Sequence, residues 1–303
     1  MGQMSEDTFL ITGAAGYLGR RVVLEASGRG TVVAASHRPS HFGDHVRATV
    51  LDVTDRDAVL RLFDRFAPKY VVHTAAVNPG QGDDAMMHRV NVDGSAYVAQ
   101  GAEAVGARLV AISTDVVHDG RRGPYSDSAP ASPLNHYGRT KAAGEEATLA
   151  ADPTAAVVRT SLMYGLDEMD RGTAGFAEGL AAGGEQVLFS DVLRTPILVD
   201  TLARAIVCLS ENEYSGYLNV AGRQALSREA YGRSMLEYWG VPSTDRLRSG
   251  LAADVSDSIP LDLRLDVSKA ELLLGFPLPG LDEVLKKASI DGSLSAMDNP
   301  PIS

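Results

Sequence analysis

An apolar run, Thr8-Phe9-Leu10-Ile11-Thr12, passes directly into Gly13-Ala14-Ala15-Gly16-Tyr17-Leu18-Gly19, and a helical stretch extends from Tyr17 to Ala26. This strand–loop–helix context constrains the chain more than any other feature. Gly13 permits a tight turn off the strand, Gly16 lets the backbone approach a pyrophosphate, and Gly19 allows the helix to pack closely on a sheet. The helix opens at Tyr17 and Leu18, where free N–H groups and a positive dipole end would face phosphates. The spacing in this setting predicts a dinucleotide loop. The second apolar run, Thr31 to Ala35, continues into Ser36-His37-Arg38 without a carboxylate. An acid there would suit the free ribose hydroxyl of NAD, whereas Arg38 with His37 favours the 2′-phosphate of NADP. An ordinary exposed loop arginine is the alternative reading. Asp52, beside Val53 at the end of the third run, would meet the adenine amino group or cap the next helix.

Further short runs follow at Val46–Leu51, Tyr70–His73, Arg108–Ser113 and Ala155–Arg159, with helical stretches at Asp55–Phe66, about Asp84–Val105, and from near Asn135. Near-continuous apolar strands alternating with helices read as a doubly wound parallel α/β sheet of the Rossmann type. After about residue 160 the rhythm loosens and glycine becomes frequent. Residues 1–160 are therefore expected to form the dinucleotide-binding core. Residues 161–290 form a smaller substrate-binding lobe, some of whose elements return to the core. Residues 291–303 are expected to be a flexible tail.

The chain has 303 residues, 45% of them hydrophobic, and a net charge of −11. That balance disfavours nucleic acid as a partner. The single cysteine, Cys208, excludes an internal disulfide and lies in a helical apolar pattern, so packing is its expected role. No window approaches the roughly 20 apolar residues of a membrane span. Met1 to Asp7 lacks the basic and apolar regions of a signal peptide, which makes the cytoplasm the default location. The histidines show no metal-ligand spacing, and no metal is assigned. Arg194 and Arg264 are candidates for an anionic diphosphate, because guanidinium forks match phosphate oxygens. Surface charge pairing is the alternative for both.

Tyr137 and Lys141 stand four apart at the start of a helix and share one face. A nearby ammonium would lower the phenol's ordinary pKa of about 10. The tyrosine could then pass a proton to or from a substrate oxygen while the lysine holds the nicotinamide ribose. Ser113 and Thr114 end a strand at the edge where ligands bind in such sheets, and a hydroxyl there could hydrogen-bond the same oxygen.

The run Ser113-Thr114-Asp115-Val116-Val117-His118-Asp119-Gly120, the segment Pro133 to Glu145 around Tyr137 and Lys141, Arg159-Thr160-Ser161 with Tyr164-Gly165, and Pro196 to Ala203 resemble the extended short-chain dehydrogenase/reductases. The similarity is closest to the dTDP-4-dehydrorhamnose reductase group and covers nearly the whole chain. His118 stands where that group usually has Phe, and Val116 where it often has Tyr. The resemblance implies NADPH-dependent reduction of a 4-keto group on a nucleotide-linked deoxysugar, with Thr114, Tyr137 and Lys141 as the catalytic set. It also implies cofactor contacts at Ala75, Ala76 and Asn91, substrate contacts at Val116, His118 and Arg194, and a homodimer. A sugar-nucleotide epimerase or dehydratase, a reductase of another ketone, and a non-catalytic regulatory subunit remain open alternatives.

Overall fold

The computed structural model describes residues 7–242 and 244–290; the expected N-terminal segment and C-terminal tail lie almost wholly outside them. In chain order the first half contains β1 (Thr8–Thr12), α1 (Tyr17–Ser27), β2 (Thr31–Ser36), β3 (Val46–Val50), α2 (Arg56–Phe66), β4 (Tyr70–His73), α3 (Asp84–His88), α4 (Ser95–Ala104), β5 (Arg108–Thr114), α5 (His136–Ala151) and β6 (Ala156–Thr160). The second half contains β7 (Met163–Tyr164), α6 (Arg171–Ala181), β8 (Gln186–Phe189), β9 (Leu193–Arg194), β10 (Ile197–Leu198), α7 (Val199–Ser210), β11 (Gly216–Asn219), β12 (Leu226–Ser227), α8 (Arg228–Tyr238), β13 (Leu247–Gly250), α9 (Ser268–Leu274) and α10 (Leu281–Ile290).

Seven strands form one sheet in the order β11-β6-β5-β4-β1-β2-β3, and every pairing is parallel. The order reverses at β1, so the crevice between the C-terminal ends of β1 and β4 is the place where such sheets take ligands. Successive strand residues point to opposite faces. Phe9 and Ile11 enter the layer formed with α1 and α7, while Leu10 enters the layer formed with α2 and α4. Late elements close the sheet: β11 adds to β6 at its edge, and α7 packs beside α1. Two smaller apolar clusters, around Tyr164–Tyr231–Met235 and Leu180–Leu188–Leu236, consolidate the second lobe.

Two elements depart from the sequence expectation. The stretch from Asp84 to Val105 is not one continuous α-helix; Arg89–Gly94 forms a π-helical turn between α3 and α4. The Ser95 hydroxyl donates to the Asn91 carbonyl at 2.8 Å, which satisfies a carbonyl in the widened turn. Every residue there is compatible with a helix, so the pattern carries no mark of the wider turn. The third strand, expected to be buried on both faces, is the sheet's outer edge, and Arg47, Ala48 and Val50 are exposed.

A buried ion pair fastens α5 to the sheet. Arg159 on β6 donates to Glu145 through Nε at 3.0 Å and Nη2 at 2.7 Å, with both side chains 2% exposed. Removing one partner would leave a buried charge without compensation. Glu145→Ala should therefore lower stability by about 3–5 kcal/mol, read as a fall in the urea midpoint with an unchanged slope.

Behind the sheet edge His73 is almost fully buried, its Nδ1 bonded to the Thr12 hydroxyl at 2.7 Å and its Nε2 to that of Ser95 at 3.1 Å. Burial, helped by the Lys141 ammonium, pushes its pKa down to about 3. An unfolded histidine titrates near 6.5. Between those values the unfolded chain binds a proton that the folded chain does not, so stability falls as pH drops below about 6.5 and this contribution is constant above it. His73 alone should cost up to about 1.4 kcal/mol per pH unit in that window. Urea unfolding at a series of pH values should show this slope, and His73→Gln should flatten it.

Candidate active site

The glycine loop lies at the β1–β4 crevice as its spacing predicts. Gly13 has φ +71°, and a Cβ there would sit 2.5 Å from the Ala75 nitrogen on the loop after β4. A Cβ on Gly19 would meet the Gly13 carbonyl at 2.2 Å. These two glycines close the loop against its own helix and against its neighbour. No side chain caps the N-terminus of α1 at Gly16, which leaves its amide groups available to a phosphate. Tyr17 reaches across to the second lobe and donates to the Glu168 carbonyl at 3.1 Å. Leu18 and Val53 are buried in the core, so any contact they make with a cofactor goes through the backbone.

His37 and Arg38 follow β2 and are exposed. The Ser36 hydroxyl donates to the Arg38 carbonyl at 2.7 Å and sets the turn that presents them. Asp52 accepts from the Thr54 N–H at 2.9 Å and its hydroxyl at 2.8 Å. Burial pulls the Asp52 carboxyl upward, but those two bonds and the nearby His37 and Arg89 charges hold it below the usual range. Ala75 and Ala76 line the loop after β4, partly exposed.

Asn91 requires a correction. It is fully buried, and its amide is bonded to the Val77 N–H at 2.9 Å, the Val77 carbonyl at 3.0 Å and the Thr140 hydroxyl at 3.2 Å. It shapes the loop after β4 from behind and presents no surface to a cofactor.

The candidate catalytic residues lie together where β5 ends. Thr114 begins a short 3₁₀ turn, Asp115–Val117, and its hydroxyl accepts from the Val116 N–H at 3.3 Å. The Asn135 side chain caps α5 by accepting from the Gly138 N–H at 2.8 Å, and this fixes the first turn that carries Tyr137. Burial and the Asp115 charge push the Tyr137 hydroxyl up to about 12, against a smaller downward pull from the Thr114 hydroxyl and Arg194.

Lys141 stands differently from expectation. Its ammonium donates to the Ile112 carbonyl at 2.8 Å, inside the sheet, and is not among the groups that shift Tyr137. Burial lowers its own pKa to about 8, with Glu145 opposing. It borders a small, partly open cavity of about 10 Å³, lined also by His73, Ser113 and Glu145, roughly enough for one water molecule. The Ser113 hydroxyl is buried without a hydrogen-bond partner among the described residues. The phenol in this conformation is therefore a protonated acid, not a lysine-stabilised phenolate.

The substrate side is also revised. His118 is fully buried and stacks on Tyr125, with centroids 4.0 Å apart and planes 3° from parallel. It packs the loop beneath the site and cannot touch a ligand there. Val116 is half-buried and packs against the core cluster on the α1 side of the sheet. Arg264 is bonded to Asp262 at 2.7 and 2.8 Å and to the Gly123 carbonyl at 3.1 Å, an internal pairing. Arg194 does reach the cluster: its Nη2 donates to Asp115 at 2.8 Å, while its buried Nε has no partner among the described residues.

The sequence reading missed Asp115, Ser161 and Arg228. Asp115 directly follows Thr114, and that adjacency was the available signal. Ser161 donates to Asp115 at 2.6 Å. Arg228 opens α8; β12, which runs into it, pairs with the strand bearing Arg194. Burial, then the like charge of Arg194, disfavours the Arg228 cation. No pattern in residues 161–290 announced that second guanidinium. Among the described residues no cluster of three or more acidic, histidine or cysteine side chains could hold a metal ion, and no helix is long and apolar enough to cross a membrane.

A glycine cradle, a Thr–Tyr–Lys set on one sheet edge and two neighbouring arginines in the second lobe make up the candidate site. A dTDP-4-dehydrorhamnose reductase of Mycobacterium tuberculosis is 32% identical over 244 residues, which are 77% of this chain and 76% of that protein. The structure of a dTDP-4-dehydrorhamnose reductase from Bacillus anthracis in complex with NADP matches with a TM-score of 0.80 at 23% identity, covering 94% of this chain and 99% of that one. The Bordetella bronchiseptica enzyme WbmG, in complex with NAD and UDP, matches with a TM-score of 0.77 at 25% identity over 97% of each chain. The family described as RmlD substrate binding domain matches residues 7–290, and the chain belongs to it.

Proposed function

We propose that this protein is an NADPH-dependent reductase of a 4-keto group on a nucleotide-linked deoxysugar. The observation that carries the reading is the protonated Tyr137 phenol beside Thr114, at the sheet edge that also holds the glycine loop. The names of the relatives supply the substrate class. The residues fit a dinucleotide. Gly13 and Gly19 make a cradle that a Cβ would fill, and α1 begins with uncapped amides. Arg38 is exposed beside the expected ribose position and favours NADP over NAD. When bound, the reduced nicotinamide supplies a hydride equivalent. The chain's own residues do the remainder. The Thr114 hydroxyl orients the substrate oxygen by a hydrogen bond, and Tyr137 gives that oxygen its proton as negative charge develops. A phenol at about 12 is still far more acidic than a simple alcohol, so the transfer runs downhill. Arg194 and Arg228, two cations held close together against their mutual repulsion, receive the diphosphate of the substrate.

Tyr137→Phe should lower kcat for keto-sugar reduction by about 10²–10⁴-fold and leave NADPH binding within a few-fold of wild type. Stopped-flow loss of reduced-nicotinamide absorbance measures the first and fluorescence titration the second; a fully active variant would remove Tyr137 from the reaction. Arg38→Ala should weaken NADPH about tenfold or more while leaving NADH unchanged in the same titration. Equal losses for the two dinucleotides would place Arg38 away from the 2′-phosphate.

A further inference from the structure

Asp115 is fully buried, and its carboxylate ties together three separate pieces of chain. Oδ1 accepts from Arg194 on β9 at 2.8 Å and from the Thr114 hydroxyl at the end of β5 at 3.2 Å. Oδ2 accepts from Ser161, just past β6, at 2.6 Å. The first turn of α5 presses on the same spot. A Cβ on Gly138 would lie 2.4 Å from the Val116 carbonyl, so only glycine lets the Tyr137 turn settle against the Asp115–Val117 turn. Buried ion pairs are seldom favourable for stability alone, because apolar groups of like volume serve as well. This pair stands where Tyr137 and Thr114 meet, and its charge reaches the phenol.

We propose that Asp115 is a positioning residue of the active site: its carboxylate holds Thr114, Ser161 and Arg194 together against the turn that carries Tyr137 and acts through them on the Tyr137 hydroxyl. The inference rests on Tyr137 being the proton donor. The proton moves from the Tyr137 oxygen to the substrate oxygen, and Asp115 exchanges none. Two charges act on the phenol from the elements around it. Asp115, on the turn after β5, opposes the phenolate, and Arg194, on β9, supports it more weakly. Of the other nearby cations, Lys141 on α5 is bonded to the Ile112 carbonyl, and Arg228 on α8 stands within reach of the Arg194 and Asp115 charges. Neutralising Asp115 should leave Arg194 dominant and make Tyr137 easier to ionise. It should also release Arg194, because the carboxylate no longer holds its Nη2.

Ultraviolet difference titration of the tyrosinate band tests this on the protein alone, with Tyr137→Phe as the blank. In the wild type Tyr137 should remain un-ionised to the alkaline limit of the fold, consistent with a value of about 12. Asp115→Asn, which keeps the shape and removes the charge, should bring its ionisation down by about one unit or more. The alkaline limb of keto-sugar reduction should move down by the same amount, and the ratio of alcohol oxidation to reduction should rise at high pH. A rate loss that is equal at every pH, with an unmoved titration, would make Asp115 a structural residue only and overturn the proposal. Should Asp115→Asn not fold, the paired change Asp115→Asn with Arg194→Gln removes both charges together and leaves no buried ion unpaired. It should still shift Tyr137 downward, because the influence of Asp115 outweighs that of Arg194; an unshifted titration overturns the proposal there too. The titration needs no substrate, so an inactive protein with the expected shift would count against the functional reading and not against the role of Asp115.

Discussion

The Glu145–Arg159 pair is the interaction on which the site's geometry depends. It joins the middle of α5 to the end of β6 inside the protein, with both side chains almost fully buried. Arg159 also donates to the Ala129 carbonyl at 2.8 Å and lies over the Tyr217 ring at 4.2 Å. One guanidinium thus ties α5, the core strand β6, the loop at Ala129 and the late strand β11 into one arrangement. Glu145 is one turn beyond Lys141 and two beyond Tyr137. The charge pair joins the Asn135 cap and the close Gly138 contact in setting the rotation of α5 about its axis. α5 bears few large apolar residues; its buried positions are Gly138, Thr140, Lys141, Ala142, Gly144, Glu145 and Thr148. Small residues let it approach its neighbours closely, and the ion pair supplies the specificity that bulky knobs would supply elsewhere.

Much of the fold was legible because its signals are local. Strands such as Phe9-Leu10-Ile11 and Tyr70-Val71-Val72 are short, apolar and separated by helical lengths, the pattern of a doubly wound parallel sheet. The glycine loop was legible for the same reason, since Gly13 and Gly19 do steric work that a spacing reveals. The π-helical turn at Arg89–Gly94 was not, because helix formers tolerate it and its cause is tertiary: Asn91 faces the Val77 backbone, and Gly144 of α5 leaves room for the Asn91 carbonyl, which a Cβ would approach to 2.1 Å.

The site was legible in its parts and not in its electrostatics. Tyr137, Lys141 and Thr114 could be placed from their positions at helix starts and strand ends. The sequence could not say which way the Lys141 chain turns, and the structure turns it inward to the Ile112 carbonyl. Nor could it say that His118 lies under the loop, stacked on Tyr125, because a histidine between apolar and acidic residues is compatible with either face. Arg228 and Arg194 are 34 positions apart and become neighbours only through the β9–β12 pairing. Contacts made by irregular loops of the second lobe have no periodicity to read.

On the proposed function, the protonated phenol bears on which proton transfer it is ready to make. A tyrosine that accepts a proton from an alcohol must ionise first, and burial and the Asp115 charge both resist that. A tyrosine that donates needs no prior ionisation, so the same environment favours reduction of a carbonyl. Lys141 bears on the balance only if its ammonium leaves the Ile112 carbonyl for the Tyr137 side. Its position inside the protein, with a pKa near 8 and Glu145 beside it, holds that charge in reserve.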